Sequence, residues 1–280
     1  MKDLPDLPDL RILPTDSLSA HEHADEGRSA PLVEALRSSG VLRNPPIVLP
    51  MGGHPDRYVV LDGANRTLAF RLLELPYVLT QVVHAGASSV TVETWNHVIL
   101  DLPPDSLKRA LEEIPEVALV PSDADRASYE VSAGGTLGYL ALADGEVFEV
   151  VCETEPLDLR LRNLEFLVRA YMGRVQVERT SARNVADVVR VFPSANGLLV
   201  FRRFEVDEIV AAVSMGRLLP AGLTRFVVSP RALRVNYPLA RLAAAGSLEA
   251  KQEELEAWIR TRVSDRQVRF YAEATFLFDE

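Results

Sequence analysis

The sequence predicts an α/β (α+β) protein in two parts: a compact α/β unit over residues 1–104 and a second α+β domain over 105–280. Three observations carry this. Short apolar runs bounded by Gly, Pro and Asp alternate with segments whose apolar residues recur at helical spacing. One such run, Tyr58 to Leu61, is cut by Asp62-Gly63, and a helix-patterned segment follows at once. Pro103-Pro104 is the first strong punctuation beyond that unit, and the boundary is placed there.

Taken in order, residues 1–10 repeat Leu-Pro-Asp and read as an extended arm, followed by a core segment at Arg11-Ile12-Leu13-Pro14. Ser29 to Ser39 reads as a helix: Ser29 is the N-cap, Pro31 sits in the first turn, Leu32, Val33 and Leu36 form one face, and Gly40 ends it. Pro46 to Pro50 reads as a buried strand, Met51 to Asp56 as a turn and Tyr58 to Leu61 as the next strand. Asn65 to Glu74 places Leu68, Ala69, Leu72 and Leu73 at helical spacing, and Tyr77–Val83 and Val90–Trp95 read as strands. In the second part the pattern predicts helices near 106–114, 158–172, 181–190, 205–216 and 248–263, and strands near 117–120, 137–142 and 146–151. Arg269 to Glu280 alternates and reads as a C-terminal strand, with Phe270, Tyr271, Phe276 and Phe278 facing a core.

Composition narrows the function. The net charge is −10; residues 1–105 hold 8 Lys+Arg against 14 Asp+Glu, and the remainder 22 against 26. Neither half has the basic surplus on which sequence-independent nucleic-acid binding draws, which argues against such a partner. No window approaches the roughly 18 apolar residues of a membrane span, and the N-terminus lacks an apolar signal core. The single cysteine, Cys152, has no partner for an internal disulfide, so a cytoplasmic protein is expected. Oligomeric state is not legible.

The turn Asp62-Gly63-Ala64-Asn65-Arg66 has the physical parts of a phosphate site. Gly63 lets the backbone approach a ligand, and the first-turn N–H groups of the following helix favour an anion. Arg66 adds a permanent fork-shaped charge, and Asp62 can hold a metal ion, a hydroxyl or the arginine. The plainer reading is that Asp62 caps the helix and Arg66 forms a surface ion pair. The histidines His21, His23, His54, His84 and His97 include no tight ligand pair of the zinc-binding kind, and no metal site is assigned to them. Trp95 by itself reads as core.

The order of a helix ending at Gly40, then Val41-Leu42-Arg43-Asn44-Pro45-Pro46-Ile47-Val48-Leu49, a strand and the Asp62–Arg66 turn resembles the ParB/sulfiredoxin superfamily over about residues 10–100. Ala64 stands where sulfiredoxins carry the turn cysteine, and the glutamate of the partition proteins is absent, with no helix-turn-helix following. The chain is more similar to the free serine kinase branch. Leu18-Ser19-Ala20-His21-Glu22 matches that branch's L-x-x-H-E, and Thr91 to His97 its strand and tryptophan. Pro220 to Phe226 is similar to its P-x-x-[ST]-T-R-H stretch, and Arg234 to Leu239 and Val268 to Thr275 extend the likeness to siderophore-pathway members. The chain departs from D-G-H-H-R at Ala64 and Asn65, and from the later histidine at Phe226.

That resemblance implies an ATP- or ADP-dependent phosphotransferase with Mg²⁺ that makes O-phospho-L-serine from a small amino-acid substrate. Glu22 is implied as the base and Asp62 as the group that orients nucleotide or metal. Gly63, Asn65, Arg66 and Thr67 are implied to hold phosphates; Trp95, His97, Thr224 and Arg225 are implied on the substrate side. The alternative is a ParB-like nucleotide-binding regulatory or DNA-associated protein without kinase activity.

Overall fold

The computed structural model describes residues 6–24, 26–84, 90–152 and 156–271, with only the backbone described at 26–28. It is a mixed α/β protein organised on two main sheets.

The first sheet has five strands in the order Leu10–Pro14, Tyr77–Val82, Ile47–Met51, His54–Asp62 and Leu18–Ala20. Its central strands bury both faces, which is why Ile47–Met51 and Tyr58–Leu61 are unbroken apolar runs rather than alternating ones. Ile12, Val48, Val60 and Leu79 pack under helices Glu26–Ser39, Ala64–Leu72 and Leu248–Ser264. Ile47, Leu49, Val59 and Leu61 point the other way, into a core shared with the second sheet.

The second sheet has six strands, all antiparallel, in the order Val177–Thr180, Asn96–Leu100, Ala195–Phe201, Gly138–Leu142, Val147–Cys152 and Val117–Ser122. One face joins the shared core with helices Pro104–Glu112, Leu157–Arg169 and Val206–Ser214. The other is covered by Ala124–Ala133 and Val185–Val191. A two-stranded ribbon, Val90–Thr94 with Thr224–Val228, bridges the sheets.

A cut at residue 104 therefore does not follow the layers. Asn96–Leu100 lies before it yet is an inner strand of the second sheet, and the helix Leu248–Ser264 returns to the first. Local composition marks the Pro-Pro break, but burial decides which sheet a strand joins.

Other expectations also shift. The first helix begins at Glu26, so Ser29 lies inside it, 3% exposed, rather than capping it. Met51 to Asp56 is a tight hairpin, its second strand starting at His54. Arg269 to Tyr271 form no strand, and Phe270 and Tyr271 are exposed; the rest of that alternating segment, with Phe276 and Phe278, lies outside the described residues. No helix among the described residues is long and apolar enough to cross a membrane.

Candidate active site

Two strands of the first sheet end at one edge. Leu18–Ala20 runs parallel to His54–Asp62, with Ala20 opposite Val60. Two residues beyond that pairing Glu22 bridges to Leu219, while Asp62 closes its own strand.

On the Asp62 side, Gly63 adopts φ 105°, ψ 29°, a conformation that favours glycine, and the helix Ala64–Leu72 starts immediately. No side chain caps that helix, so Asp62 is not its cap. Instead its Oδ2 accepts from Arg66 Nη2 at 3.1 Å and from Arg231 Nη2. Arg66 Nη1 donates to the carbonyls of Asn44 at 2.6 Å and Pro45 at 3.1 Å. Burial lowers the Arg66 guanidinium to about 10, which leaves it fully charged at neutral pH. The plainer sequence reading thus holds only in part: Arg66 makes an ion pair, with Asp62, but is mostly buried, and Asp62 is no cap.

Arg66 binds the turn to the preceding loop, and its head is directed at backbone carbonyls rather than at an open anion. Thr67 is corrected as well. It is 1% exposed and its N–H donates back to Gly63 O, so it lies beneath the turn. The residue that sequence reasoning missed is Arg231. It arrives from the 230–236 loop, which Gln81 pins from below by donating to Pro230 O at 2.9 Å and accepting from Ala232 N at 2.9 Å. Arg234 N donates to Asn44 Oδ1 at 2.9 Å. No local pattern announces this loop, because every one of those contacts spans well over a hundred residues.

On the Glu22 side, the chain pairs with the 219–223 loop. Leu219 N donates to His21 O at 2.8 Å and His23 N to Leu219 O at 3.1 Å. Between them, Glu22 Oε2 accepts the Gly222 N–H at 2.8 Å. His21 is 2% exposed and spans sheet and ribbon. Its Nδ1 lies 2.6 Å from Val60 O and its Nε2 2.7 Å from Thr224 Oγ1. A carbonyl accepts only, so Nδ1 carries the proton and Nε2 accepts from the Thr224 hydroxyl. Burial pushes the imidazole down to about 4, against a weaker upward pull from the Val60 carbonyl.

Trp95 and Arg225 lie together beside the 219–223 loop. Trp95 N donates to Leu223 O at 2.8 Å, and the Arg225 guanidinium lies over its ring at 4.8 Å while pairing with Glu93 at 3.3 Å. Arg179, which the sequence reading passed over, reaches the same loop from the edge strand of the second sheet. Its Nη2 donates to Ala221 O at 3.4 Å, and its guanidinium is packed on Gly222.

His97 is the clear correction. It is fully buried, its Nδ1 2.7 Å from the Tyr171 hydroxyl and its ring edge-on to Phe201. Burial first, and then the Arg179 charge, pushes it down to about 3. It is a neutral core residue and touches no substrate. The strand expected over Val90–Trp95 is the ribbon Val90–Thr94, and His97 lies in the next strand, Asn96–Leu100, an inner strand of the second sheet.

The arrangement sets two carboxylates, Glu22 and Asp62, among Arg66, Arg179, Arg225 and Arg231. No group of three or more His, Cys, Asp or Glu among the described residues is placed to hold a metal by itself. A cavity of about 500 Å³ lies elsewhere, between residues 6–10, the 230–236 loop and the C-terminal helix, and Arg231 borders both places.

Fold and site together define a mixed α/β protein with a carboxylate–arginine site where two parallel strands end. No protein-family model matches the sequence. The chain is similar to the ATP-dependent L-serine kinase SbnI of Staphylococcus aureus, 23% identical over 273 residues and spanning 97% of each chain. It is 34% identical over 103 residues to the ATP-dependent L-serine kinase of Staphylothermus marinus, 37% of this chain and 39% of that one. A solved structure of C-terminally truncated SbnI superposes with a TM-score of 0.70 at 22% identity, over 92% of this chain and 97% of that one. A free serine kinase in complex with AMP gives 0.69 at 15%, over 85% and 95%. The fold of this protein is the fold of those structures.

Proposed function

We propose that the protein is an ATP-dependent phosphotransferase that converts free L-serine to O-phospho-L-serine. The observation that carries this is Glu22, a carboxylate held on the Gly222 N–H at 2.8 Å where the Asp62 turn opens. The names of the two curated relatives support the substrate and the nucleotide.

In this reading the serine hydroxyl lies against Glu22, which accepts its proton as the oxygen attacks the γ-phosphorus. The bond to the β–γ bridging oxygen breaks, ADP leaves, and Glu22 returns the proton to solvent. Such transfer asks the protein mainly for position and charge neutralisation. The N-terminal N–H groups at Ala64 and Asn65 face the phosphates, and Arg231 is the movable cation at that side. Arg66 keeps the turn in shape. Trp95, Thr224 and Arg225 form the acceptor side, with Thr224 set by His21.

Mg²⁺ suits a donor set of one or two carboxylates completed by phosphate oxygens, and Asp62 or Glu22 would hold it beside the nucleotide, where it neutralises phosphate charge. The wider kinship with ParB and sulfiredoxin proteins rests on the Gly63 turn and belongs to this proposal, as does a cytoplasmic setting. The reading is tested by incubating the protein with Mg²⁺, ATP or ADP and L-serine, with Glu22→Ala as control. Phosphoserine formed by the wild type and lost in the variant is expected; no turnover of either nucleotide with serine sinks it.

A further inference from the structure

We propose that the nucleoside of the phosphate donor lies in the cavity between residues 6–10, the 230–236 loop and the C-terminal helix, and that Arg231 joins this cavity to the phosphate turn. The inference deepens the reading above, since it takes the Asp62 side as the place of a nucleotide's phosphates.

Phosphates are only one end of a nucleotide. The sugar and the flat base need an apolar, partly cationic hollow beside them. The cavity, about 500 Å³, falls within the range of small-molecule pockets, about 300–1,000 Å³. Leu233, Trp258, Ile259 and Phe270 supply apolar wall. In that lining the Arg262 guanidinium lies over the Trp258 ring at 4.8 Å and donates to Gln267 Oε1 at 2.6 Å. Bases stack on aromatic faces and on guanidinium planes alike, so this layered pair is a platform for one.

Charge selects the same ligand. The described residues around the cavity hold four arginines against three acids, a formal +1 in a chain of −10. Two of those acids, Asp9 and Glu256, pair with Arg11 at 2.7 Å and Arg260 at 3.7 Å, neither of which lines the cavity. An anion is favoured here, against the net charge of the protein.

One residue ties the cavity to the turn. Arg231 lines it, and its Nη2 donates to Asp62 Oδ2, next to Gly63. A ligand that touches Arg231 from the cavity stands within one side chain's length of the Asp62 carboxylate. The wall itself is pre-formed. Gln81 holds Pro230 O and Ala232 N, Asn44 Oδ1 holds Arg234 N, and Arg43 O accepts from Asn236 N at 3.3 Å. Little ordering is then left to pay on binding. Neither Glu22 nor the 219–223 loop belongs to this lining, so base and acceptor have separate places.

The test is photolabelling of the full chain with an ADP derivative that carries an azide on its base. Label is expected in residues 231–236 or 258–270, and this measurement needs no variant. Beside it, ADP binding is followed by calorimetry for the wild type, Leu233→Glu and Arg269→Glu, with thermal melts of each. Both side chains are exposed, so melting should hold. Each variant sets a negative charge against the ligand and is expected to weaken ADP by about tenfold or more, the scale of like charges brought together. Arg190→Glu, an exposed charge reversal on the helix Val185–Val191, makes the same change of net charge as Arg269→Glu away from the cavity and is expected to leave affinity unchanged. The proposal is overturned if label falls outside those segments, if ADP does not bind, if the cavity variants bind as the wild type does, or if Arg190→Glu weakens ADP as much as they do. Phosphoserine formation is measured separately. ADP held in the cavity without phosphoserine fails the kinase reading and leaves the nucleoside site standing; phosphoserine formed with the label elsewhere does the reverse.

Discussion

The Asp62 side and the Glu22 side of the site each present a carboxylate at the end of a strand, but they surround it differently. Asp62 is shared by two arginines, Arg66 and Arg231, one from its own helix and one from a loop far along the chain. Glu22 accepts the Gly222 N–H and lies 3.8 Å from His21, which burial keeps neutral. A carboxylate clamped between guanidinium groups is a poor proton acceptor, because the ionised form is already satisfied. In the proposed reading this contrast gives charge balance to Asp62 and proton transfer to Glu22.

The strongest way to break this comparison is Glu22→Gln. It keeps the shape and removes the acceptor charge, so phosphoserine formation should fall by about 10²–10⁴-fold, the range of general-base contributions. Nucleotide affinity should stay within about twofold. If nucleotide binding falls as much as turnover, Glu22 belongs to the phosphate side.

Acid should test the buried imidazoles that support the Glu22 side. His21 falls from 6.5 to about 4 on folding and His97 from 6.5 to about 3. The unfolded chain therefore binds more protons between these values, and stability drops as pH falls from about 6.5 toward 4. His21 alone accounts for roughly 3 kcal/mol at the acid end, at about 1.4 kcal/mol per pKa unit. Urea midpoints between pH 7 and 4.5 should show this, and His21→Gln should reduce the slope by about one proton. An unchanged slope means that His21 is not held neutral.

Asp62→Ala sharpens the other side. It leaves Arg66 and Arg231 facing each other without their shared partner, and should lower stability by roughly 1–3 kcal/mol. Adding Arg231→Ala should recover part of that loss by removing the repulsion. A double variant no better than the single one shows that Arg231 is a bystander.

The smallest effect is expected from Gly222→Ala. A side chain at φ +68° costs roughly 1–2 kcal/mol and displaces Arg179, whose flexible head can move aside. Melting should shift by a few degrees, whereas serine affinity should fall by more than the shift implies. Equal losses in the two measurements leave Gly222 a purely conformational requirement.

The turn was legible because its parts are adjacent in the chain. A strand, a glycine at positive φ and a helix start leave a local signature at Tyr58 to Leu72. Glu22 was proposed through the likeness of Leu18 to Glu22 to a known motif, and the structure shows what holds it there: the parallel pairing of Ala20 with Val60 and its own bridge to Leu219. Arg179 and Arg231 were not legible. Each is an ordinary arginine in its own segment, and its meaning comes from a strand pairing or a loop pinned by Gln81. His97 was misread for the same reason, since the chain passes after Trp95 from the ribbon Val90–Thr94 into Asn96–Leu100, an inner strand of the second sheet.

By itself the sequence determined the class of fold, the elements with strong period or sharp punctuation, the turn at Gly63, and a net charge of −10. These follow from backbone sterics, side-chain periodicity and net charge, all readable over short stretches. Only the tertiary structure decided that Asn96–Leu100 joins the second sheet, that the C-terminal helix covers the first, that His97 is core, and that Arg179 meets the 219–223 loop and Arg231 meets Asp62. Those outcomes depend on which apolar faces bury each other, and burial is a property of the whole chain.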